Sequence, residues 1–201
     1  MKGLLVDFGG VLTTNVFESF RSFCEGEGLD PEAFLDLFRE RSEARSALRE
    51  VETGRISEDE FSTRLGAMLG VKETNGLIDR LFAGMAPDGA MVAAVRRAKG
   101  SGVRTGLISN SLGEGRYDRS TFPELFDGVV ISGEEGMHKP QPEIYLLGAE
   151  RVGLAPEECV FVDDLRENCA GAEAVGMTAV LHRGADATIE ELEQLLDVAL
   201  H

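Results

Sequence analysis

Short apolar runs rich in Val, Leu and Ile alternate along most of the chain with segments of helical periodicity. Four runs are clear and a fifth is weaker, at residues 3–7, 103–109, 128–132, 159–164 and 177–182. They lack strict alternation of apolar and polar residues, which is typical of strands buried on both faces of a parallel sheet. Helical patterns lie between and after these runs, at 88–99, 142–152, 166–175 and 187–199. The pattern predicts an α/β fold with a doubly wound, mostly parallel sheet.

Residues 16–85 interrupt this alternation, because they read as helical throughout and contain no convincing strand. Asp30 followed by Pro31 predicts one helix start, and Ser57 with Glu60 predicts a capping box at another. About four helices are expected. A crossover between parallel strands needs only about a dozen residues, so this segment is too long for a connection. We expect a core domain at 1–15 and 86–201 and a small all-helical cap domain at 16–85.

Charge and cysteine content narrow the class of protein. The 201 residues include 20 Lys and Arg against 36 Asp and Glu, a net charge of −16, which argues against broad binding to nucleic acid or anionic membranes. Three cysteines (Cys24, Cys159 and Cys169) form no CxxC pair, as expected in a reducing compartment, and the last two fall in core-like positions. No apolar run approaches membrane-spanning length, so a cytoplasmic protein is expected. Nothing indicates an oligomeric state.

Polar side chains stand where the apolar runs end. These side chains are Asp7, Ser109, Asn110, Asp163 and Asp164. The carboxyl ends of neighbouring parallel strands share one edge of a sheet, which is where such folds bind ligands. Carboxylates without a His or Cys cluster favour a hard cation, above all Mg²⁺, which commonly also binds a substrate phosphate. Lys139, between a glycine-containing turn and two prolines, would complete a phosphate site.

Four motifs carry a resemblance to a known family. The strand-ending Asp7, the stretch LISNS with Ser109, the stretch HKPQPEIY with Lys139, and the stretch FVDDLRENCAGAEAVGM resemble the four motifs of the haloacid dehalogenase superfamily. Their order and spacing match across essentially the whole chain, and residues 16–85 lie where that family places a helical cap. The resemblance implies a Rossmannoid core.

The resemblance also implies roles. Asp7 matches the nucleophile that forms an aspartyl-phosphate, and Lys139 matches the lysine that neutralises nucleophile and phosphate. Ser109 and Asn110 match groups that bind phosphoryl oxygens. The implied Mg²⁺ ligands are Asp7, the backbone carbonyl of Gly9, Asp164 and its neighbour Asp163. Asn168 stands where many relatives carry a further Asp, and it either supports the metal through water or is a helix-surface amide.

Gly9 is the departure from the family pattern. Most phosphatases of the superfamily read Asp-x-Asp at the first motif, and the second Asp protonates the leaving group and then activates water. Gly9 keeps the backbone carbonyl but lacks that general acid and base, a group worth about 10²–10⁴-fold in rate, or roughly 3–5 kcal/mol.

Three interpretations remain open. In the first, the protein is a phosphatase whose leaving group needs little protonation, or whose acid is a water or a cap residue. In the second, it is a 2-haloacid dehalogenase. In the third, it binds phosphorylated ligands without turnover. Dehalogenases of the family usually carry Tyr at the Gly9 position and Ser-Asn near the last strand. The adjacent Asp163 and Asp164 instead require a compensating cation, which favours Mg²⁺ and phosphoryl chemistry.

Substrate contacts are harder to assign. A small phosphorylated metabolite, such as a sugar or organic phosphate, is the expected partner. Thr13, Thr14 and Asn15 leave the first motif towards the cap and are candidates for substrate contact. Four arginines recur at near-helical spacing, namely Arg39, Arg41, Arg45 and Arg49. They form either a solvated face paired with Glu40 and Glu43 or an inward face that holds a second anionic group.

Overall fold

Five strands form a single parallel sheet in the computed structural model, which describes residues 1–113 and 117–201. The strands are β1 (Gly3–Val6), β2 (Arg104–Ser109), β3 (Gly128–Ile131), β4 (Cys159–Asp163) and β5 (Thr178–Leu181). Their order is β3-β2-β1-β4-β5, and every neighbouring pair is parallel. The prediction of an α/β fold with a parallel sheet is confirmed.

Helices in the described residues fall into two sets. Between β1 and β2 lie α1 (Val16–Glu27), α2 (Pro31–Glu40), α3 (Ser42–Glu52), α4 (Glu58–Leu69), α5 (Leu77–Phe82) and α6 (Gly89–Gly100). After β2 come the short α7 (Phe122–Leu125) and α8 (Ser132–Glu135), then α9 (Pro142–Val152), α10 (Arg166–Ala174) and α11 (Ala185–Leu196). The first five occupy the predicted cap segment, and the others accompany the sheet.

Successive side chains of β1 enter opposite faces of the sheet. Leu4 and Val6 belong to an apolar cluster with residues of α6 and α11, whereas Leu5 belongs to a second cluster with residues of α9 and α10. Both faces of the strand are therefore covered by helices. This explains why the strands read as continuous apolar runs, since a residue facing either side is buried.

The segment that holds α1 to α5 has its own apolar cluster. Its buried members include Phe23, Phe34, Phe61 and Leu77. The expected number of about four helices is one too low, because Arg41 has an extended backbone (φ −94°, ψ 116°) that separates α2 from α3. The interpretation of residues 16–85 as a distinct cap domain stays a prediction.

The predicted helix starts in this segment are found. The Asp30 carboxylate accepts a hydrogen bond from the Glu32 N–H at 3.0 Å, and the Ser57 hydroxyl accepts one from the Glu60 N–H at 3.1 Å. The Glu60 carboxylate accepts from Arg64 at 2.5 Å. Of the predicted capping box, the hydrogen bond to the Ser57 hydroxyl is therefore present, whereas the Glu60 side chain binds Arg64.

The arginine run does not form one helical face. Arg39 pairs with Asp36 on its own helix at 3.0 Å, while the extended Arg41 interrupts the helical spacing. Arg45 donates hydrogen bonds to the main-chain oxygens of Phe38 (3.1 Å) and Arg39 (2.6 Å), so it caps the end of α2. The alternative of a single inward arginine face is wrong, because the run is divided between two helices.

Two connections join the helical segment to the sheet, and they pair with each other. Thr14 N–H donates to the Ala86 oxygen at 2.8 Å, and Thr13 forms an antiparallel bridge with Pro87. The Thr14 hydroxyl accepts from the Ala86 N–H, and Asn15 caps α1. Thr13 Oγ1 accepts from the Gly10 N–H at 3.0 Å, so the three residues that the sequence suggested for substrate contact have structural contacts here.

The burial of the cysteines and the length of the helices bear on two further sequence predictions. Cys24, Cys159 and Cys169 are buried free thiols, which confirms the core positions predicted for the last two. Among the described residues, no helix has the length and apolar composition that crossing a membrane requires.

Candidate active site

The chemistry-bearing side chains lie at the carboxyl ends of three adjacent strands. Asp7 directly follows β1, Ser109 ends β2, and Asp163 ends β4. These strands are neighbours in the order β2-β1-β4 and run parallel, so their ends share one edge. Carboxylate oxygens of Asp7, Asp163 and Asp164 lie within 4.8 Å of one another. The structure thus brings together the acidic residues that the sequence predicted as a cluster.

Lys139 is buried at the centre of this cluster. Its Nζ lies 2.7 Å from Asp7 Oδ1 and 2.7 Å from Asp163 Oδ2, and only 3% of the residue is exposed. Asn110 fixes the lysine through its main chain, because its Oδ1 accepts from the Lys139 N–H at 2.8 Å and its Nδ2 donates to the Lys139 oxygen at 3.2 Å. The ammonium is therefore held between two carboxylates.

Asp163 is saturated with hydrogen bonds. Besides Lys139, it accepts from the Leu165 N–H at 2.9 Å and from Asn168 Nδ2, which is 3.0 and 3.1 Å from its two oxygens. Asn168 is buried, so its interpretation as a helix-surface amide is wrong. Its recorded contact is to Asp163, where it positions the carboxylate.

Asp164 lies beside the turn that follows β1. A Cβ placed on Gly10, whose φ is +75°, would approach Asp164 Oδ2 to 2.5 Å. Gly10 therefore allows the backbone to pass close to this carboxylate. Gly9 differs, because a Cβ there would meet only Val16 Cγ2, at 3.4 Å. A Cβ at Gly9 would therefore make only an ordinary van der Waals contact.

Ser109 has a neighbour that the motifs did not predict. Its Oγ lies 2.9 Å from the hydroxyl of Tyr117, whose ring packs edge-on against Phe8 with centroids 4.9 Å apart. Burial raises the pKa of Tyr117 to about 12. The phenol is thus a neutral hydrogen-bonding group beside the expected phosphate site.

Burial dominates the electrostatics of the carboxylates. It raises the pKa of Asp7 to about 7, although the charge of Lys139 acts in the opposite direction. Burial and the charge of Asp163 raise the pKa of Asp164 to about 6. Burial disfavours charged Lys139, but the carboxylates of Asp7 and Asp163 outweigh it and raise the pKa of the lysine.

Sequence comparison assigns the family. Residues 1–176 match the haloacid dehalogenase-like hydrolases. This chain belongs to that family.

Relatives of this haloacid dehalogenase-like hydrolase include phosphatases. It is 32% identical to the sesquiterpene phosphatase astK of Aspergillus oryzae over 154 residues, which cover 72% of this chain and 76% of that protein. It is 29% identical to hexitol phosphatase A of Escherichia coli, over 100% of this chain and 90% of that protein. Several other curated relatives are longer, and this chain spans between 11% and 50% of them.

Solved structures of the family share the fold. A HAD family enzyme from Bacteroides thetaiotaomicron, in complex with magnesium and inorganic phosphate, has a TM-score of 0.68 and 21% identity to this chain. The alignment covers 92% of this chain and 96% of that one. The similarity supports the same arrangement of sheet and helices.

The donor set of this haloacid dehalogenase-like hydrolase fits a hard divalent cation. The carboxylates of Asp7, Asp163 and Asp164 converge. Within residues 1–113 and 117–201, Lys139 forms ion pairs with Asp7 and Asp163 and none with Asp164. Uncompensated buried carboxylates repel one another, which agrees with the raised pKa values of Asp7 and Asp164. Oxygen ligands of this type suit Mg²⁺.

Glu52 is a second residue that the sequence did not predict at this site. It is the last residue of α3, and the side chain of Asn110 acts on its carboxylate in the direction that favours the ionised form. Burial raises the pKa of Glu52 to about 7, against the opposing effects of Lys139 and Asn110. The helical segment therefore contributes a carboxylate to the same edge of the sheet.

Proposed function

We propose that the protein is a Mg²⁺-dependent phosphatase that hydrolyses a small phosphorylated metabolite through an aspartyl-phosphate intermediate. The observation that carries this proposal is the buried Lys139, held 2.7 Å from both Asp7 and Asp163 at the end of the sheet. A lysine fixed against a strand-ending carboxylate can neutralise both that nucleophile and an incoming phosphate. The named phosphatases among the relatives support the same reaction class.

The proposed roles follow from the contacts. Asp7 attacks phosphorus, because its Oδ1 is fixed by Lys139 and by the Phe8 N–H at 2.7 Å, which orients the carboxylate. The Ser109 hydroxyl and the main-chain N–H of Asn110 bind the phosphoryl oxygens at the end of β2, because the Asn110 side chain already holds the main chain of Lys139. Lys139 offsets the negative charge that the transferred group brings into this buried site.

The metal would be held by Asp7, Asp164 and the backbone carbonyl of Gly9, with Asp163 beside them. Asp163 already accepts hydrogen bonds from Lys139, Asn168 and Leu165, so we assign the direct contact to Asp164. A bound Mg²⁺ would supply positive charge to the phosphoryl oxygens. The Bacteroides relative, solved with magnesium and inorganic phosphate, supports this choice of cation.

We assign residues 16–85 to a cap that covers the site and selects the substrate, and the first motif to the Asp-x-Gly type. The separate apolar cluster of α1 to α5 and the paired connections around Thr13 and Pro87 support the division. The substrate is a phosphomonoester small enough to lie between the cap and the end of the sheet.

Hydrolysis of an aryl phosphate by the purified protein, with Mg²⁺ and with a chelator, tests this function. Turnover that requires Mg²⁺ is expected, and Asp7→Asn should abolish it while circular dichroism and binding of inorganic phosphate persist. Full activity in Asp7→Asn would exclude Asp7 as the nucleophile. Metal-independent halide release from a 2-haloacid would support the dehalogenase alternative, and binding of phosphate without any turnover would support a non-catalytic protein.

A further inference from the structure

A hydrogen bond joins the C-terminal end of helix α3 to the core beside the candidate active site. The main-chain oxygen of Glu52 accepts a hydrogen bond from the Ser132 hydroxyl at 2.5 Å, and Ser132 is fully buried at the end of β3. The same Oγ accepts from the Ser111 N–H at 2.9 Å. A Cβ on Gly54 would lie 2.6 Å from the Gly133 oxygen, which shows how closely the two parts approach.

The Glu52 side chain interacts electrostatically with the groups of the candidate active site. Asn110, the residue that also holds the main chain of Lys139, favours the ionised form of the Glu52 carboxylate. The charged groups that act on it most strongly are Lys139, Asp7 and Glu167. Glu52 is therefore a carboxylate that interacts with the nucleophile and belongs to the helical segment rather than to the turn after β1.

We propose that Glu52 is the general acid and base of this site, in place of the carboxylate that Gly9 lacks. The inference rests on the proposed phosphatase function. The group is on the cap segment, whereas the missing Asp of an Asp-x-Asp motif would be on the turn after β1. A proton-transfer group needs only to reach the leaving oxygen, so either side can supply it.

Two proton transfers define the role. In the first step an Asp7 oxygen bonds to phosphorus, the bond from phosphorus to the leaving oxygen breaks, and the Glu52 carboxyl gives its proton to that oxygen. The leaving group departs as an alcohol. In the second step the Glu52 carboxylate takes a proton from water as the water oxygen bonds to phosphorus. The bond between Asp7 and phosphorus breaks, and inorganic phosphate leaves with Glu52 protonated again.

The ionisation of Glu52 suits both steps. Burial raises its pKa to about 7, so the protonated and ionised forms are both populated near neutral pH. A group with a pKa near the working pH serves best as both acid and base. The phenol of Tyr117, whose pKa burial raises to about 12, is a much weaker acid for the leaving group.

Leaving-group dependence is the experiment that tests Glu52. Glu52→Gln removes the proton with little change in size, and Glu43→Gln, at an exposed position on the same helix, is the matched control. Each variant is assayed with Mg²⁺ on phenyl phosphate and on p-nitrophenyl phosphate. We expect Glu52→Gln to lower kcat/KM on phenyl phosphate by about 10²–10⁴-fold and on p-nitrophenyl phosphate by much less, since nitrophenolate leaves without a proton. Glu43→Gln should behave as wild type.

Two further measurements separate a proton-transfer role from a structural one. The wild-type kcat/KM should fall at alkaline pH as Glu52 loses its proton, and Glu52→Gln should lack that decrease. Gly9→Asp should restore activity on phenyl phosphate in the Glu52→Gln background, because a Cβ at Gly9 would make only an ordinary contact with Val16 and the new carboxylate would lie two residues after the nucleophile. This rescue also shows that Glu52→Gln is folded.

The outcomes that would overturn the inference are distinct. Equal losses on the two aryl phosphates, or an unchanged alkaline limb, would exclude general acid catalysis by Glu52. A lower KM and tighter binding of inorganic phosphate in Glu52→Gln, without loss of kcat, would show that Glu52 competes with phosphate instead. A wild-type protein inactive on every phosphate would refute the proposed function itself, and the role of Glu52 with it.

Discussion

Replacing Lys139 by methionine tests how strongly the active-site carboxylates depend on one buried charge. Methionine keeps an unbranched apolar chain but removes the ammonium that lies 2.7 Å from both Asp7 and Asp163. The lysine side chain is 1% exposed and that of Asp163 is 0% exposed, so water cannot replace the lost partner. Removing one member of a buried ion pair costs about 3–5 kcal/mol. Since domains are typically stable by about 5–15 kcal/mol, we expect a large fall in the free energy of unfolding.

Lys2→Met is the matched control. Lys2 Nζ lies 2.6 Å from Glu158 Oε1, almost the distance found at Lys139, but its side chain is 72% exposed. Solvent screens such a pair and can replace either partner, so this substitution should change stability little. The difference between the two variants therefore isolates the effect of burial from that of ion-pair distance.

Urea denaturation of the metal-free protein at pH 8.0 and pH 5.5 measures both effects. The folded-state pKa of Asp7, about 7, exceeds its unfolded value, so Asp7 destabilises the fold as pH rises towards 7. Lys139 lowers the pKa of Asp7, so Lys139→Met should reduce the free energy of unfolding more at pH 8.0, where Asp7 is ionised, than at pH 5.5, where it is protonated. A Lys139→Met variant that loses no more stability than Lys2→Met, or that loses the same amount at both pH values, would refute the electrostatic reasoning.

Two further predictions concern the metal. Gly10→Ala and Gly70→Ala both place a side chain at φ +75°, and each should lower the free energy of unfolding by about 1–2 kcal/mol. Only the Gly10 Cβ would press on Asp164. Only Gly10→Ala should therefore weaken Mg²⁺ affinity in a calorimetric titration. Equal affinities in the two variants would contradict Asp164 as a ligand. Because Asp7 and Asp164 have pKa values of about 7 and 6, Mg²⁺ should raise the melting temperature more at pH 8.0 than at pH 5.5. An equal rise at both pH values would show that Mg²⁺ does not bind these carboxylates.

The sequence was sufficient to predict the sheet and the cluster at its edge because both depend on short-range patterns. Leu4, Leu5 and Val6 are all buried, and a strand covered on both faces needs mostly apolar residues. Polar residues such as Asp7 and Ser109 therefore stand out where such a strand ends, whereas Thr105 inside β2 is buried with its hydroxyl donating to the Leu125 oxygen. Parallel order then brings those ends together without any further information about the loops.

Glu52 and Tyr117 could not be predicted because long-range packing places them. Glu52 reads as one of several acidic residues on an amphipathic helix, and its position is set by a hydrogen bond to Ser132, 80 residues away. Tyr117 follows β2 without a recognisable motif, and nothing in the local sequence indicates that its hydroxyl lies 2.9 Å from Ser109 Oγ. The burial of Asn168 also depends on packing, since the sequence left open whether it supports the metal or is a helix-surface amide, and its contact with Asp163 decides against the surface position.

The position of Glu52 has a consequence for how turnover depends on the cap. An Asp-x-Asp motif carries nucleophile and acid on the same turn after β1, so the two are present together in every arrangement of the cap. Here Asp7 belongs to the core and Glu52 to the helical segment, and the hydrogen bond from Ser132 to Glu52 joins them. With Glu52 as the proton-transfer group, the acid reaches the leaving oxygen only while the end of α3 is docked on the core. With residues 16–85 as the proposed cap, this docking would also cover the site, so proton transfer and exclusion of bulk water would depend on the same contact.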